Sequence, residues 1–475
     1  MLFNSFDFGF FLVIVYGLYW GIGSRHRITQ NILLLCASYV FYGLWDWRFL
    51  VLLAASSLVD FGAGYFLQRS NTLWKRRAWL GGSILWNLGV LITFKYFHFF
   101  LSEFYTLFSM NVPEGDFTIW TVLIPVGLSF YTFQTLGYTL DVYRRRQEAS
   151  SNLLEFLCFV SFFPQLVAGP IERARKLLPQ FQQSRSFQVS QQKEGLRQIL
   201  WGLIKKILIA DTLGVAVTTI FEQPEAYGSI SLMYAAVLFS FQMYGDFSGY
   251  TDIAIGTAKL FGFRLSKNFN LPYLAKSITE FWQRWHITLT RWFTENVYAS
   301  LVRYRKNLNY WSTMPALLVT MTLIGFWHGA NWTFICFGIF NGIILIFERI
   351  PLQHHRTVSG WLSKQNRLFS LIYFFTITSI SSIFFRATSI SDVWIILERI
   401  ASFTMNDQFS TIIGWKLMVL PVMIIAELFF RNNAYPMQEF ERWLPKPARW
   451  LVYYVLIFLL VRYAAPQEAF IYFQF

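Results

Sequence analysis

Runs of apolar residues long enough to cross a bilayer recur from one end of this chain to the other, and this constrains its fold more than any other feature. A helix needs roughly 20 apolar residues to span the hydrocarbon core. Inside the runs apolar and polar residues do not alternate, which argues against a membrane β-barrel. Of the 475 residues, 55% are hydrophobic and only 14% charged. Soluble domains carry roughly 25% charged residues, so polar surface is too scarce here to cover a water-soluble body. The fold class is an all-α polytopic membrane protein.

Charge orders the runs. The net charge of +14 comes from 40 Lys and Arg against 26 Asp and Glu. Basic residues collect in cytoplasmic loops of membrane proteins. No nucleic-acid motif is visible, so the excess reads as topology and not as a nucleic-acid partner. Five runs come first, at about 6–22, 30–44, a third ending near 67, 79–101 and a fifth ending near 140. The first has no basic leader and no small-residue cleavage site, so it is expected to be retained. Basic clusters at 25–27, 69–77 and 144–146 alternate with an acidic loop holding Glu103, Glu114 and Asp116. This alternation places the N-terminus outside.

The next run, 153–168, is short, contains Pro164 and has basic residues on both sides. It is expected to dip in and return, with bends at Pro164, Gly169 and Pro170. Such backbone is tolerated at membrane depth only beside protein or a water-filled cavity. A polar stretch, 173–193, follows, and then spans at 196–221 and 230–260. Residues 278–301 are too charged to span and read as one amphipathic helix on the cytoplasmic side. The block 311–347 is a helical pair broken at Gly329, and runs near 369–385, 412–430 and 451–463 close the chain. The total is about eleven spanning or re-entrant segments in a single domain, 1–475. No internal repeat is evident.

Polar residues inside such runs are costly and usually functional. His328 stands in the apolar block beside Gly329. Burial disfavours an imidazolium, so a neutral ring there suits a general base that takes a proton from an attacking hydroxyl. A histidine hydrogen-bonded to a nearby carbonyl for structural reasons is the plainer reading. His286 lies in W-Q-R-W-H. On one continuous helix it would share a face with Trp282, and it reads equally well as an interfacial residue. Asp246 and Asp252 could orient a histidine or pair with Arg284, Arg291 or a lysine. Arg173, Lys205, Lys206, Arg175 and Arg264 could meet an anionic donor or simply contact anionic lipid. His354 and His355 sit in a polar loop without acidic companions, so a metal site is not expected there. Cys36, Cys158 and Cys336 have neither metal-ligand nor redox spacing.

Several motifs together resemble the membrane-bound O-acyltransferase (MBOAT) family, and most of all its bacterial alginate O-acetylase branch. They are 125–134 (P-V-G-L-S-F-Y-T-F-Q), 163–173 (F-P-Q-L-V-A-G-P-I-E-R) and 244–256 (Y-G-D-F-S-G-Y-T-D-I-A-I-G). To these are added 268–273 (N-F-N-L-P-Y), 281–289 (F-W-Q-R-W-H-I-T-L), 326–332 (F-W-H-G-A-N-W) and the ending 470–475. The resemblance implies a ring of helices around a central funnel. It implies that His328 is the essential histidine and His286 the second polar position, with Trp327 and Asn331 supporting. It also implies that an acyl group, acetyl above all, passes from a cytoplasmic thioester such as acetyl-CoA to an exported polysaccharide. A separate periplasmic or extracellular acetyltransferase partner, a bacterial inner-membrane location and no bound cofactor go with that reading. D-alanyl transfer to teichoic acid is the alternative within the family. A glycan transporter is the alternative outside it, and transporters commonly show inverted repeats.

Overall fold

The computed structural model describes residues 3–22, 26–108, 125–167, 169–303, 309–352, 357–404, 419–463 and 470–471. Glu114 and Asp116, the loop after Arg303, the His354–His355 pair and most of the C-terminal motif lie outside these residues. The regular elements of the described residues are all helices, without a strand. Among the described residues four helices are both long and apolar enough to cross a membrane: Arg27–Asp46, Arg48–Arg69, Leu73–Leu107 and Arg367–Arg386. Phe6–Gly21, Trp332–Glu348 and Leu420–Phe429 are apolar but shorter. The chain groups into two compact units, Met1–Ile199 with Ile253–Ser266, and Leu200–Asp252 with Lys267–Phe475.

In the first unit, Arg48–Arg69 packs against both Leu73–Leu91 and Leu128–Tyr143. Among apolar neighbours a carboxylate must be surrounded by donors. Asp60 is fully buried and accepts from Asn87 at 2.8 Å, Thr139 at 2.9 Å and Ser83. One acid thus ties three helices together. The short run at 153–168 is broken, as its proline suggested, but at a different residue. Leu153–Ser161 ends, Phe162 turns the chain with ψ near 103°, and Phe163–Leu166 follows. Pro164 falls in the first turn of that second helix, where its missing N–H costs no hydrogen bond.

In the second unit the pair Tyr310–His328 and Trp332–Glu348 form a tight hairpin. A Cβ on Gly325 would stand 2.2 Å from the Phe334 carbonyl oxygen, and one on Gly338 2.5 Å from that of Met321. Small residues let the two backbones touch, the way membrane helices pack without a hydrophobic driving force. The predicted break at Gly329 is present. Helix one ends at His328, and Asn331 starts helix two by accepting from the Thr333 N–H at 3.0 Å.

Two expected single helices prove to be interrupted. The run 196–221 contains a π-helical segment, Ile204–Ala210, between Val189–Leu203 and Asp211–Glu222. The run 278–301 divides into Ile278–Arg284 and Ile287–Phe293, so Trp282 and His286 do not share a helix. The physical reason is His286 itself, which adopts a left-handed conformation at φ 41°. Histidine enters that region more readily than most residues.

Candidate active site

His286 is held in its unusual conformation from both sides. The loop before it, N-F-N-L-P-Y, supplies the clamp. The Ile287 N–H donates to the Asn268 carbonyl at 2.9 Å, and the Asn270 N–H donates to the Arg284 carbonyl at 2.9 Å. The Asn268 side-chain oxygen also accepts from Thr288, at 2.9 Å from its hydroxyl and 3.2 Å from its N–H. Phe269 packs its ring 5.0 Å from Trp285. The N-terminus of Ile278–Arg284 is fixed by Glu348, whose carboxylate accepts from the N–H groups of Ile278 and Thr279 at 2.7 Å each. An acid at a helix N-terminus also meets the positive end of its dipole.

The clamp turns His286 into an aromatic chamber. Its ring lies 4.7 Å from Phe247 and 5.8 Å from Trp327. Trp327 in turn lies 4.9 Å from His328. Phe385 and Phe337 complete the wall, 5.0 Å and 5.8 Å from the His328 ring. One indole therefore stands between the two histidines, which are 42 residues apart in sequence. His286 is fully buried, whereas His328 retains 3% exposure. The two seven-residue helices that flank His286 are too short to cross a bilayer. There burial pushes the imidazole pKa down to about 3, so that ring is neutral at physiological pH.

The remaining sequence candidates lie elsewhere. Asn331 acts at the hairpin turn, donating its amide to the Thr388 carbonyl at 2.9 Å. Arg173 belongs to the first unit, 3.6 Å from the buried carboxylate of Asp141. Asp246 and Asp252 are paired with lysines, one of the options left open by the sequence. Lys205 reaches Asp252 at 2.5 Å and the Ser248 hydroxyl at 2.8 Å. Lys206 bridges Asp211 at 2.8 Å and Asp246 at 2.9 Å. Arg284 instead pairs with Glu280 at 2.7 Å. Lys205 and Lys206, read from the sequence as contacts for an anionic donor or for anionic lipid, are both buried and engaged by carboxylates. The motif Y-G-D-F-S-G-Y-T-D makes this possible. A Cβ on Gly249 would lie 2.8 Å from the Gly202 carbonyl and 3.0 Å from the Lys206 nitrogen, so its absence lets the long helix Ser229–Leu260 close on the π segment.

Sequence reasoning passed over Phe247, Asn268, Asp211, Phe385 and Glu427, which accepts from the Tyr244 hydroxyl at 2.9 Å. Asn268 and Phe247 sat inside motifs already noticed. Asp211, Phe385 and Glu427 carried no local signal. Among the described residues no cluster of His, Cys, Asp and Glu is arranged to hold a metal.

The family model of MBOAT, the membrane-bound O-acyltransferase family, matches residues 117–391. The chain belongs to that family, and it is a membrane protein and an acyltransferase. A probable alginate O-acetylase, AlgI, of Pseudomonas aeruginosa is 36% identical over 460 residues, covering 94% of this chain and 85% of the relative. Its counterpart in Pseudomonas putida is 40% identical over 352 residues, covering 74% and 71%. A peptidoglycan O-acetyltransferase of Helicobacter pylori is 28% identical over 518 residues, covering 98% and 94%.

Proposed function

We propose that the whole chain, 1–475, acts as one membrane O-acetyltransferase in the bacterial inner membrane. It takes an acetyl group from a cytoplasmic thioester, acetyl-CoA being the donor expected, and passes it outward for O-acetylation of an exported polysaccharide. A periplasmic or extracellular partner acetyltransferase completes the delivery. The names of the relatives support the acetyl group and the glycan acceptor.

The observation that carries this reading is the placement of His328. It closes a helix at a break, inside a chamber where His286, neutral through burial, stands one indole away. A general base must be neutral and within reach of the proton it takes. The hydroxyl oxygen attacks the thioester carbonyl carbon, its proton passes to the His328 ring, the carbon–sulfur bond breaks and the proton leaves with the thiolate. His286 and Trp327 hold the reacting groups in line, and orientation of this kind supplies much of many rate gains. Lys205, Lys206, Asp246 and Asp252 support the scaffold beneath. Arg173 is left as a donor contact. Because the His328 ring is only 3% exposed, the aromatic wall of Trp327, Phe337 and Phe385 must part to admit the thioester.

The test is His328→Ala in cells, with acetyl groups measured on exported glycan and protein level checked in the membrane. Loss of acetylation at normal level supports the assignment. Unchanged acetylation removes it.

A further inference from the structure

The first unit holds a cavity of about 460 Å³, within the range of small-molecule sites. It forms where two chain reversals meet. The reversal after Arg48–Arg69 contributes Gln68, Asn71 and Arg76, and the end of Leu128–Tyr143 contributes Arg145, Arg146 and Gln147. Both reversals are basic in sequence and were placed on one side of the membrane by that charge. The structure brings them to a single cavity.

The three arginines do different work. Arg76 is buried and donates to the carbonyls of Leu67 at 2.8 Å, Tyr143 at 2.6 Å and Val142 at 3.5 Å. These belong to the last turns of the two helices, so Arg76 locks both helix ends together and offsets their negative dipoles. Arg145 and Arg146 are exposed and form no ion pair among the described residues. Arg145 is left-handed at φ 57°, and the turn is held by its N–H on the Val142 carbonyl at 3.1 Å. The wall has one carboxylate, Glu148, against three guanidinium groups. The side-chain oxygen of Gln147 is buried with no hydrogen-bond partner among the described residues, an acceptor awaiting a donor. A concave, positive wall with guanidinium forks matches phosphate oxygens, and the Gln147 oxygen matches a hydroxyl or amine on the same ligand. Basic pockets beside membrane helices sit at the depth of lipid phosphates.

We propose that this cavity binds a phosphate-bearing group that also carries hydroxyl or amine donors. The source is either an anionic phospholipid headgroup or a soluble phosphate ester. The inference stands apart from the chemistry at His328.

The test uses the purified full-length protein and the double variant Arg145→Ala/Arg146→Ala. Native mass spectrometry follows binding of phosphatidylglycerol and of phosphatidylcholine. In parallel, thermal unfolding in detergent is measured with glycerol phosphate and with inorganic phosphate. The expected result is preferential retention of phosphatidylglycerol by the wild type, weakened at least about tenfold in the double variant through lost charge-assisted hydrogen bonds. Stabilisation of the wild type alone by glycerol phosphate, with no lipid preference, assigns the soluble source. If the double variant binds both like the wild type, the proposal is overturned. Arg145→Lys/Arg146→Lys keeps the charge but loses the forks, and it gives the same readout should the alanine pair fold poorly.

Discussion

The lysine–carboxylate cluster around Lys206 and the histidine chamber around Trp327 are buried in the same unit, and they meet the cost of burial by opposite means. The cluster keeps formal charges and cancels them at 2.5–2.9 Å. The chamber surrounds its histidines with aromatic rings at 4.7–5.8 Å. Ion pairs in low dielectric hold tightly and cannot be half undone. Aromatic contacts are worth about 0.5–1.5 kcal/mol each beyond their burial, so a wall made of them can open. The cluster is suited to be a fixed footing and the chamber to be the moving part.

The largest effect that would break this contrast is on activity. His328→Ala is expected to lower acetyl transfer by about 10²- to 10⁴-fold, the usual span for a lost general base, while the unfolding midpoint stays near that of the wild type. A stability loss as large as the activity loss would put His328 with the footing. Next comes Lys206→Met, which leaves Asp211 and Asp246 buried without their shared cation. It should destabilise by about 3–5 kcal/mol, seen as lost membrane accumulation and a lowered unfolding midpoint. Adding Asp211→Asn and Asp246→Asn to the same chain should recover much of that loss, because no buried charge is then orphaned.

Asn268→Ala sharpens the contrast on a smaller scale. It removes the acceptor for both Thr288 donors, at about 1–3 kcal/mol. Activity should fall more than stability, since the loop carries His286. The last effect is graded and builds up only as the pH is lowered. The unfolded His286 takes a proton below its ordinary value of 6.5, while the folded ring resists protonation down to about 3. Between those limits the unfolded state binds more protons, so stability is full above 6.5 and declines as pH falls, by up to about 1.4 kcal/mol per pH unit. Thermal unfolding from pH 7 to pH 4 should show a shallower decline for His286→Gln than for the wild type.

Much of this was readable from residue order, for physical reasons that differ by region. Spans such as Arg27–Asp46 and Arg367–Arg386 announce themselves because hydrocarbon demands a set length of apolar helix. The break at Gly329 was legible because a glycine beside a histidine interrupts an otherwise continuous run. What the sequence concealed was set by contacts distant in the chain. Nothing near Lys206 reveals that Asp211 and Asp246 will share it, since their convergence depends on the π segment and on Gly249. Nothing near Trp285 reveals a helix end. The pattern at 278–301 is helical throughout, and the left-handed His286, clamped by backbone hydrogen bonds between its neighbours and Asn268 and Asn270, stops it.

The left-handed twist at residue 286 separates two duties that usually cannot be told apart. Asparagine or glycine there would keep the bend and delete only the imidazole, because both accept positive φ. Valine or isoleucine would forfeit the bend as well, since a β-branched side chain is a steric misfit in that region. A small panel of replacements at one codon can thus report separately on the bend and on the imidazole, something the neighbouring position 328, at the end of an ordinary helix, does not offer.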